Sequence, residues 1–531
     1  MTKLDSEKII ASLQDGGAVA SKLPSYEPRQ SQLDLLEQII QAFNEDSFLM
    51  AEAGTGVGKS FAYLLPAMHF ALQKKEKVVI STATITLQGQ LYEKDIPLVA
   101  STMEKEVKSV LMKGRGNYLC ARKLNDVLDE SSLFKDDIKE LNEIAKWAKD
   151  TKTGDKSDLN FVPKDSLWLS ICSESDLCLG NHCPFREYCY VLKLRQKANA
   201  AHVIVVNHHL LFADLAARYE GAGYEQSVVL PPFSRLIIDE AHTMENSASS
   251  FFSAEFARTG IFRQLSRLYS RRRGSDYGLL VKLSAMLPSS FEILDAMADI
   301  IKKIRAAAED LDEAALELCG ITGIFRLSPA LDEDILKRSL FPELKKMQKN
   351  IRVLTGMIRE SLESLKDEEI MADPSIWEIK TITNRLETIA EVCNAFCNYK
   401  KHEDQILYIE RQNFSKGDSS KNSWAVFTRT PLDLAPILKD SVFAPNKTVC
   451  CVSATLALND DFSFWASRTG INLIEKRMPL SGCFPSPFPY SEAVLLASPV
   501  DVPLPDEDGY QEFVNKAVTE LVSASEGSSL V

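Results

Sequence analysis

The decapeptide AEAGTGVGKS at residues 51–60 decides the fold of this chain. The apolar run SFLM precedes it at residues 47–50, and the apolar segment FAYLLPAMHFAL follows it at residues 61–72. These runs predict a buried strand before the glycines and a helix after them. Closely spaced glycines between a strand and a helix let backbone N–H groups turn toward phosphate oxygens. A chance glycine-rich turn would not need this order, so the stretch predicts a phosphate-binding loop in an α/β domain.

The residues of this loop have distinct predicted roles. Lys59 is expected to reach the β- and γ-phosphates of a nucleotide as a point charge, and Ser60 to ligate Mg²⁺ through its hydroxyl. The glycines are expected to bring the backbone close to the phosphates. The predicted nucleotide contacts are Gly54, Thr55, Gly56, Gly58, Lys59 and Ser60.

The tetrapeptide DEAH at residues 239–242 follows the apolar run LII, which predicts a second strand. Asp239 is expected to hold Mg²⁺, and Glu240 to orient or deprotonate the water that attacks the γ-phosphate. His242 is expected to contact the hydrolysis site or a neighbouring domain. Four residues alone could be a solvated helix start, but their combination with the phosphate loop indicates nucleotide hydrolysis.

Composition describes an ordinary globular protein of several domains. The chain has 531 residues, of which 45% are hydrophobic and 25% charged, and this length exceeds what one core supports. No apolar run approaches the ~18 residues that a membrane span needs, and the start MTKLDSEKII lacks the apolar stretch of a signal peptide. We therefore expect a cytoplasmic protein without a membrane partner, in which cysteines serve as metal ligands or buried thiols.

Basic residues are concentrated in two stretches of an otherwise acidic chain. The net charge of −13 argues against nucleic acid, but KGRGNYLCARK and REYCYVLKLRQK each carry four basic side chains together with tyrosines. Basic groups interleaved with aromatic rings suit single-stranded nucleic acid, although two solvated helix faces would look similar. The predicted nucleic-acid contacts are Lys113, Arg115, Tyr118, Arg122, Lys193, Arg195 and Lys197.

Strand-like segments recur along the chain and end in polar residues, as at residues 77–81, 201–211 and 447–456. Polar groups at the carboxyl ends of strands are typical of a doubly wound parallel sheet that binds its ligand at that edge. Two stretches interrupt this pattern. Residues 111–195 hold cysteines and charged helices, and residues 245–420 are predicted to be almost entirely helical.

Four cysteines fall within eighteen residues, in the spacing C-x₅-C-x₄-C-x₅-C, and the last is expected to open a helix. These gaps are wider than the C-x₂₋₄-C pairs of structural zinc sites. An iron–sulfur cluster also takes four thiolates and tolerates wider spacing. The pattern favours iron–sulfur over zinc without excluding zinc. Because a fifth cysteine lies upstream, spacing alone leaves the ligand set open among Cys120, Cys172, Cys178, Cys183 and Cys189.

Several segments together resemble the DinG/XPD family of iron–sulfur DNA helicases, within superfamily 2, and are most similar to its bacterial DinG/YoaA branch. Alanine instead of glycine at position 53 is also typical of superfamily 2 loops. The segments that carry the resemblance span nearly the whole chain: YEPRQSQL, EAGTGVGKS, TATITLQGQL, KGRGNYLCARK, VVNHHLLFADL, IIDEAH and VSATL.

This resemblance implies a set of cofactors and ligands. ATP, Mg²⁺ and a [4Fe-4S] cluster are the implied cofactors. Arg29 and Gln32 match the family's Q motif, which reads the adenine. The family's four cluster ligands correspond to Cys120, Cys178, Cys183 and Cys189, which leaves Cys172 outside the set.

The resemblance also implies a domain order around a RecA-like, doubly wound parallel sheet. The first motor domain is interrupted by an iron–sulfur domain and by a helical arch domain, and a second motor domain follows. The expected limits are 1–110, 196–244 and 421–475 for the first motor domain, 111–195 for the iron–sulfur domain, 245–420 for the arch, and 476–531 for the incomplete start of the second motor domain.

The implied function is ATP-dependent 5′–3′ translocation on single-stranded DNA and unwinding of forked DNA, in repair or replication. No Q-x-x-G-R-x-x-R segment occurs, and the last residues EGSSLV are expected to begin a strand. The sequence is therefore expected to be a fragment, or to have lost its second motor domain, and to hydrolyse ATP poorly by itself. Two alternatives remain: a DNA-binding or assembly module with a vestigial ATPase, and a nuclease of the same family. A nuclease domain would have only about 25 residues before the first motif, and these residues contain no clustered Asp/Glu motif.

Overall fold

The computed structural model describes residues 3–23, 26–129, 138–174, 177–180, 183–272, 274–287, 290–320, 323–331, 333–365, 374–413, 423–475, 477–494, 496–500, 502–505, 507–526 and 529. The chain divides into two compact units, Met1–Ser486 and Pro487–Val531. None of the described helices is both long and apolar enough to cross a membrane.

Thirteen strands are described, and they form three sheets. In chain order they are β1 Phe48–Ala53, β2 Val78–Thr82, β3 Ser109–Leu111, β4 Val203–Asn207, β5 Arg235–Asp239, β6 Ala254–Ala257, β7 Ser270–Arg272, β8 Ser275–Tyr277, β9 Ile324–Arg326, β10 Gln405–Asn413, β11 Ser423–Pro431, β12 Thr448–Ser453 and β13 Leu480–Phe484.

The central sheet contains seven strands in the order β13-β1-β12-β5-β2-β4-β3. Every pairing in it is parallel, as expected for strands buried on both faces. The segments predicted as strands lie in β1, β2, β4, β5 and β12. The predicted strand at 201–211 is shorter than expected, because β4 ends at Asn207, whose side chain caps the following helix by accepting a hydrogen bond from Leu210 N.

Helices cover both faces of the central sheet, which confirms the doubly wound α/β prediction. One face packs against helices at Ser6–Ala11, Gln30–Asn44, Lys59–Lys74 and Ile96–Ala100. The opposite face packs against helices at His208–Ala217, Met244–Phe252, Ala435–Leu438 and Ser463–Thr469. Alternate residues of each strand point to opposite faces, so Leu49 lies in the first core and Met50 in the second.

The first interruption of the sheet lies between β3 and β4. It consists of short helices around a small apolar core that contains Leu141, Ile144, Trp168 and Ile171. Its helices are Ala121–Asp129, Ile138–Asp150, Asp165–Ile171 and Tyr190–Ala200. We call residues 111–195 the cysteine module.

The second interruption of the central sheet lies between β5 and β12. It has its own extensive hydrophobic core. Its helices are Arg258–Leu268, Leu279–Ala285, Ser290–Cys319, Glu333–Arg338, Leu340–Glu363 and Pro374–Cys397. The prediction of an almost entirely helical region is incomplete, because β6, β11, β10 and β9 form an antiparallel sheet beneath these helices. The expected limit at residue 420 is also wrong, since β11 begins at Ser423 and pairs along its whole length with β10.

The prediction that a second motor domain begins at residue 476 is wrong for the first part of that segment. β13 pairs in parallel with β1, from Leu49 with Leu480 to Ala53 with Phe484. β13 therefore belongs to the central sheet, and it pairs with backbone groups on the edge of β1 that would otherwise be open. The second unit contains helices Tyr490–Ala493 and Tyr510–Ala524. Most of the expected strand at EGSSLV lies outside the described residues.

Candidate nucleotide site and cysteine cavity

The phosphate loop, residues 54–58, connects β1 to the helix Lys59–Lys74. Gly56 and Gly58 have φ angles of 82° and 89°, in the left-handed region that favours glycine. A Cβ atom on Gly58 would lie 2.2 Å from Nε2 of Gln32. The backbone conformation therefore favours glycine at position 58, and a larger residue there would also displace the Gln32 amide.

The side chains of Gln32 and Arg29 hold the backbone of the phosphate loop through hydrogen bonds. Gln32 Nε2 donates a hydrogen bond to the Gly58 carbonyl at 2.9 Å, and Arg29 donates to the Gly56 carbonyl. The Tyr26 hydroxyl in turn donates to Gln32 Oε1 at 2.6 Å. The sequence predicted an adenine contact for Arg29 and Gln32, and the structure adds a second task, holding the loop backbone.

Lys59 and Glu240 meet across the sheet edge. Lys59 Nζ lies 2.9 Å from Glu240 Oε1, and the two side chains are 16% and 22% exposed. Glu240 has a φ of 54°, an uncommon conformation for a residue other than glycine. The structure thus joins the ends of two motifs that lie 181 residues apart in the chain.

Asp239 ends β5 and is 8% exposed. Burial raises the pKa of its carboxyl to about 6; Lys59 opposes this rise and Glu240 adds to it. Asp239 Oδ2 accepts a hydrogen bond from the Tyr63 hydroxyl at 3.1 Å. Ser60 is the second residue of the helix Lys59–Lys74 that follows the phosphate loop. A carboxylate and a hydroxyl here are oxygen ligands of the kind that Mg²⁺ prefers.

His242 contacts the end of β12. Its Nδ1 lies 2.7 Å from Ser453 Oγ, and Ser453 Oγ donates to Glu240 Oε2 at 3.4 Å. Ser453 begins the SAT motif, so the DEAH and SAT motifs form one polar cluster. Sequence reasoning left the partner of His242 open between the hydrolysis site and a neighbouring domain, and in this structure the contact is made within the central sheet.

Two polar residues at strand ends were not predicted as part of the site. Glu52 of β1 accepts hydrogen bonds from Leu456 N at 2.6 Å and Ala457 N at 2.7 Å, which fixes the turn after the SAT motif. His208, directly after β4, bonds through Nδ1 to Ser81 Oγ at 2.6 Å. Burial lowers the pKa of His208 to about 4, although the neighbouring backbone of Glu240 raises it. Their position at the carboxyl edge of the sheet was the available signal.

Four of the five cysteines in the cysteine module line one cavity of about 160 Å³: Cys120, Cys178, Cys183 and Cys189. We call it the cysteine cavity. Cys172 does not line it; it is buried at 2% exposure in the module's apolar core. All five carry free thiols. Among the described residues, no group of three or more His, Cys, Asp or Glu side chains already stands close enough together to hold a metal ion.

Basic side chains surround the cysteine cavity, and Arg115, Arg122, Lys123, Arg186 and Arg195 line it. Burial raises the pKa of the Cys178 thiol, but hydrogen bonds from Arg115 and from the Gly180 backbone, with the charge of Arg195, outweigh burial and lower it. The cavity therefore stabilises negative charge on the Cys178 sulfur, whereas burial raises the pKa of the Cys183 thiol.

A cleft of about 1050 Å³ separates the cysteine module from the helices of the second interruption. Glu174 lines this cleft. It forms ion pairs with three basic side chains: Lys123, Arg267 at 3.3 Å and Arg385 at 3.6 Å. Arg267 also pairs with Glu378. Arg122, Arg263 and the cations of Glu174 give this cleft a basic lining.

The predicted DNA contacts occupy different environments. Lys193 and Lys197 are exposed. Arg115 and Arg122 line both the cleft and the cysteine cavity, and Arg195 lines the cavity alone.

Two further predicted contacts are engaged within the protein. Lys113 pairs with Asp155 at 2.7 Å. The prediction that Tyr118 stacks on a base is wrong for this structure, because its ring is 5% exposed and its hydroxyl accepts a hydrogen bond from Lys113 N.

Several known proteins are similar to this chain. Residues 31–133 match the family model of the DEAD/DEAH box helicases. The chain is 28% identical over 516 residues to the ATP-dependent DNA helicase YoaA of Escherichia coli, covering 96% of this chain and 72% of the relative. It is 29% identical over 540 residues to the ATP-dependent DNA helicase DinG of Photobacterium profundum, covering 97% and 74%. A solved structure of Xpd4 from S. tokodaii aligns with a TM-score of 0.38 at 14% identity, covering 86% of this chain and 61% of that one.

Residues 31–133, which contain the phosphate loop, therefore match a DEAD/DEAH box helicase domain. The relatives are named ATP-dependent DNA helicases, and such helicases are ATP-hydrolysing enzymes. More narrowly, the expected resemblance to the DinG and YoaA helicases is confirmed over most of the chain.

Proposed function

We propose that this chain is the motor of an ATP-dependent DNA helicase that moves 5′–3′ along single-stranded DNA and opens forked duplexes. The observation that carries this proposal is the 2.9 Å contact between Lys59 Nζ and Glu240 Oε1. A P-loop lysine and a DEAH glutamate have separate tasks on the γ-phosphate, and they must face the same point at the sheet edge.

The contact also suggests an order of events. Without nucleotide, Glu240 neutralises Lys59 in a half-buried site, where an unpaired charge would be costly. When phosphates arrive, Lys59 exchanges its carboxylate partner for phosphate oxygens. Glu240 is then released to orient the attacking water, as a general base must. Ser60 and Asp239 are the residues suited to hold Mg²⁺, which supplies charge stabilisation of the phosphates when bound.

The first experiment is the ATPase rate of the protein and of Lys59→Ala, with and without single-stranded DNA. We expect Lys59→Ala to lose about 10²–10³-fold in kcat, as is typical when one electrostatic contact to the reacting group is removed. Lys105→Ala is the matched control, because Lys105 is exposed and lies beside Lys77, near the amino end of β2. A Lys59→Ala protein with full turnover would contradict the proposed site.

The same experiment separates the alternatives. DNA binding without DNA-stimulated hydrolysis would favour an assembly module with a vestigial ATPase. Degradation of single-stranded DNA that persists in Lys59→Ala would favour a nuclease.

We further propose that the cysteine cavity holds a [4Fe-4S] cluster on Cys120, Cys178, Cys183 and Cys189. Four thiols around one cavity provide the donor set that such clusters take. The arginines around it suit the net negative charge of a cluster with four thiolate ligands. The residues present therefore fit the group, and Cys172, inside the apolar core, does not belong to the set.

The basic cleft is the proposed path of the DNA strand. Its cations come both from the cysteine module and from the helices of the second interruption, so a strand between them would contact both. Phosphate contacts of this kind give affinity without sequence preference and make binding sensitive to salt. Exposed Lys193 and Lys197 extend the basic surface of the cysteine module.

A further inference from the structure

The glutamate that precedes the phosphate loop holds the turn that follows the SAT motif. Glu52 lies in β1, two residues before Gly54. Its Oε2 accepts hydrogen bonds from two successive backbone N–H groups, Leu456 N at 2.6 Å and Ala457 N at 2.7 Å. A charged acceptor makes such bonds stronger than a neutral acceptor would. One carboxylate oxygen therefore joins two parts of the chain that lie 404 residues apart.

These two hydrogen bonds fix the backbone where the chain leaves β12. The side chain of Leu456 is buried in the apolar core on one face of the sheet, but apolar packing has no preferred direction. The turn beyond it is exposed, and Asn459 and Asp460 have φ angles of 52° and 62°, which are uncommon for residues other than glycine. The bonds to Glu52 therefore supply the direction that packing does not.

The start of the same segment contacts the proposed catalytic glutamate. Ser453 ends β12 beside Glu52 in the register of β1 with β12. The Ser453 hydroxyl has one proton, which it donates to Glu240 Oε2 at 3.4 Å. Its oxygen then accepts from His242 Nδ1 at 2.7 Å, an assignment that places the imidazole proton on Nδ1. Ser453 is thus a hydrogen-bond donor to the side chain of Glu240.

Glu240 uses its two carboxylate oxygens differently. Oε1 contacts Lys59 at 2.9 Å, and Oε2 contacts Ser453. In the proposed order of events, Lys59 moves to the phosphates and Oε1 becomes available to the attacking water. Oε2 is then the atom through which the carboxylate stays oriented. The orientation of the base therefore depends on where the segment after β12 holds Ser453.

We propose that Glu52 is a positioning residue for the hydrolysis step: it fixes the backbone of residues 454–457 and thereby keeps Ser453 on the carboxylate of Glu240. This inference rests on the proposed function, since it assumes that Glu240 orients the attacking water. It gives a role to a residue of the first motif that was not predicted to contact the nucleotide.

The test compares Glu52→Ala with Glu52→Gln in the full chain. Alanine leaves both N–H groups without this acceptor, whereas glutamine keeps an acceptor oxygen and loses only the charge. Single-turnover hydrolysis of ATP gives the rate, and titration with a fluorescent ATP analogue gives the nucleotide affinity. We expect the hydrolysis rate to fall about 10–30-fold in Glu52→Ala and no more than about threefold in Glu52→Gln. Nucleotide affinity should stay within about twofold in both variants, because the groups that bind the phosphates remain.

A double-mutant cycle shows whether Glu52 acts through Ser453. Ser453→Ala removes the donor to Glu240, and it should slow hydrolysis about tenfold. The variant that combines Glu52→Ala with Ser453→Ala should be no more than about twofold slower than the slower single variant, because the second change removes support for a contact that is already lost.

Asp433→Ala is the matched control. It removes an exposed carboxylate that accepts a hydrogen bond from a backbone N–H, that of Ala435 at 2.9 Å, at the start of the helix Ala435–Leu438. Its hydrolysis rate and its nucleotide affinity should equal those of the parent.

The outcomes separate this inference from the function beneath it. If Lys59→Ala hydrolyses ATP like the parent, the proposed function itself is wrong. If Lys59→Ala is inactive and Glu52→Ala hydrolyses like the parent, Glu52 positions nothing. Effects of Glu52→Ala and Ser453→Ala that multiply in the double variant would also overturn the inference. So would a loss of nucleotide affinity in Glu52→Ala that matches its loss of rate, because it would indicate a merely structural role.

Discussion

The nucleotide site and the cysteine cavity are built in opposite ways. The side chains of the nucleotide site stand at the ends of β1, β5 and β12, three neighbouring strands in the middle of the central sheet. Their charges are already paired, as in Lys59 with Glu240. The thiols that line the cysteine cavity come from loops and helix ends, and the apolar core beside them is small.

The two sites differ in what holds their residues in position. The backbone of the phosphate loop is held by a buried sheet and by Gln32, so the fold positions it before any ligand arrives. The cysteine module has less apolar surface to fix its loops, and there metal–thiolate bonds would contribute folding free energy themselves. Loss of the ligand should therefore leave the first site standing and loosen the second.

The largest expected effect is on the cysteine cavity. Cys178→Ser or Cys183→Ser should abolish the iron and sulfide content and the unwinding activity, because one thiolate ligand is lost. ATP binding should stay within about twofold, since the phosphate loop is held by separate contacts. Iron and sulfide analysis of anaerobically purified protein, with an unwinding assay, measures both.

Cys172→Ser is the matched control for these variants. Its sulfur lies 3.8 Å from the Leu169 carbonyl, an acceptor that a serine hydroxyl can also use. Iron content and unwinding should be retained. Loss of iron in Cys172→Ser alone would reverse the ligand assignment, and about one zinc per chain with no iron would replace the cluster by a zinc site.

The next effect in size is on hydrolysis. Glu240→Gln keeps the shape of the side chain but removes the base, so kcat should fall about 10²–10³-fold while Mg²⁺–ATP stays bound. Asp239→Ala should weaken binding of Mg²⁺–ATP itself, because it removes the carboxylate suited to hold the ion. Single-turnover hydrolysis and nucleotide titration distinguish the two. Equal loss of nucleotide binding in both variants would contradict the division of roles between neighbouring residues.

A smaller effect is expected in the basic cleft. Glu174 forms ion pairs with three basic side chains that DNA phosphates could also bind. Glu174→Gln should raise the affinity for a single-stranded oligonucleotide about three- to tenfold, because charged contacts of this kind govern such binding. Fluorescence anisotropy at fixed salt measures it, and Glu343→Gln, which alters an exposed pair with Lys346, is the control. Unchanged or weaker binding would exclude this cleft as the strand path.

The smallest expected effect is on the pH dependence of the protein's stability. His208 has a pKa of about 4 in the folded protein, below the ordinary value near 6.5. The unfolded chain therefore binds a proton between these values that the folded chain does not, and stability falls as pH drops below about 6.5. Between pH 7 and pH 5, His208→Gln should reduce the loss in free energy of unfolding by about 2 kcal/mol. Urea unfolding at both pH values tests it; exposed His209→Gln should behave like the parent.

Local patterns predicted the parts of the fold that local residues specify. β1, β2, β5 and β12 are short apolar runs that are buried on both faces, and glycines mark the loop between β1 and its helix. The sheet of the second interruption was missed because β9 has three residues and β10 joins the short apolar run ILYI to the polar run ERQN. β6 and β9 pair with strands that are distant in the chain, and no local pattern contains such partners.

The candidate sites follow the same division. Lys59, Asp239 and Glu240 could be predicted because their motifs carry the chemistry by themselves. Glu52 and His208 were missed, because each contacts a residue far away in the chain. Burial of Tyr118 was missed for a related reason: charge counts along the sequence do not tell which side of a helix or loop faces the interior.

The strand order has a consequence for synthesis of the protein. β12 lies between β1 and β5, so those two strands have no direct pairing with each other. The ribosome completes β12 about 400 residues after β1 begins, which takes roughly 20–80 s at usual elongation rates of about 5–20 residues per second. Until β12 is made, β1 and, from its own later synthesis onward, β5 expose unpaired backbone at the very place where the nucleotide will bind. The sheet can close only after the whole second interruption has emerged, and until then the nascent chain offers edges that chaperones have reason to cover.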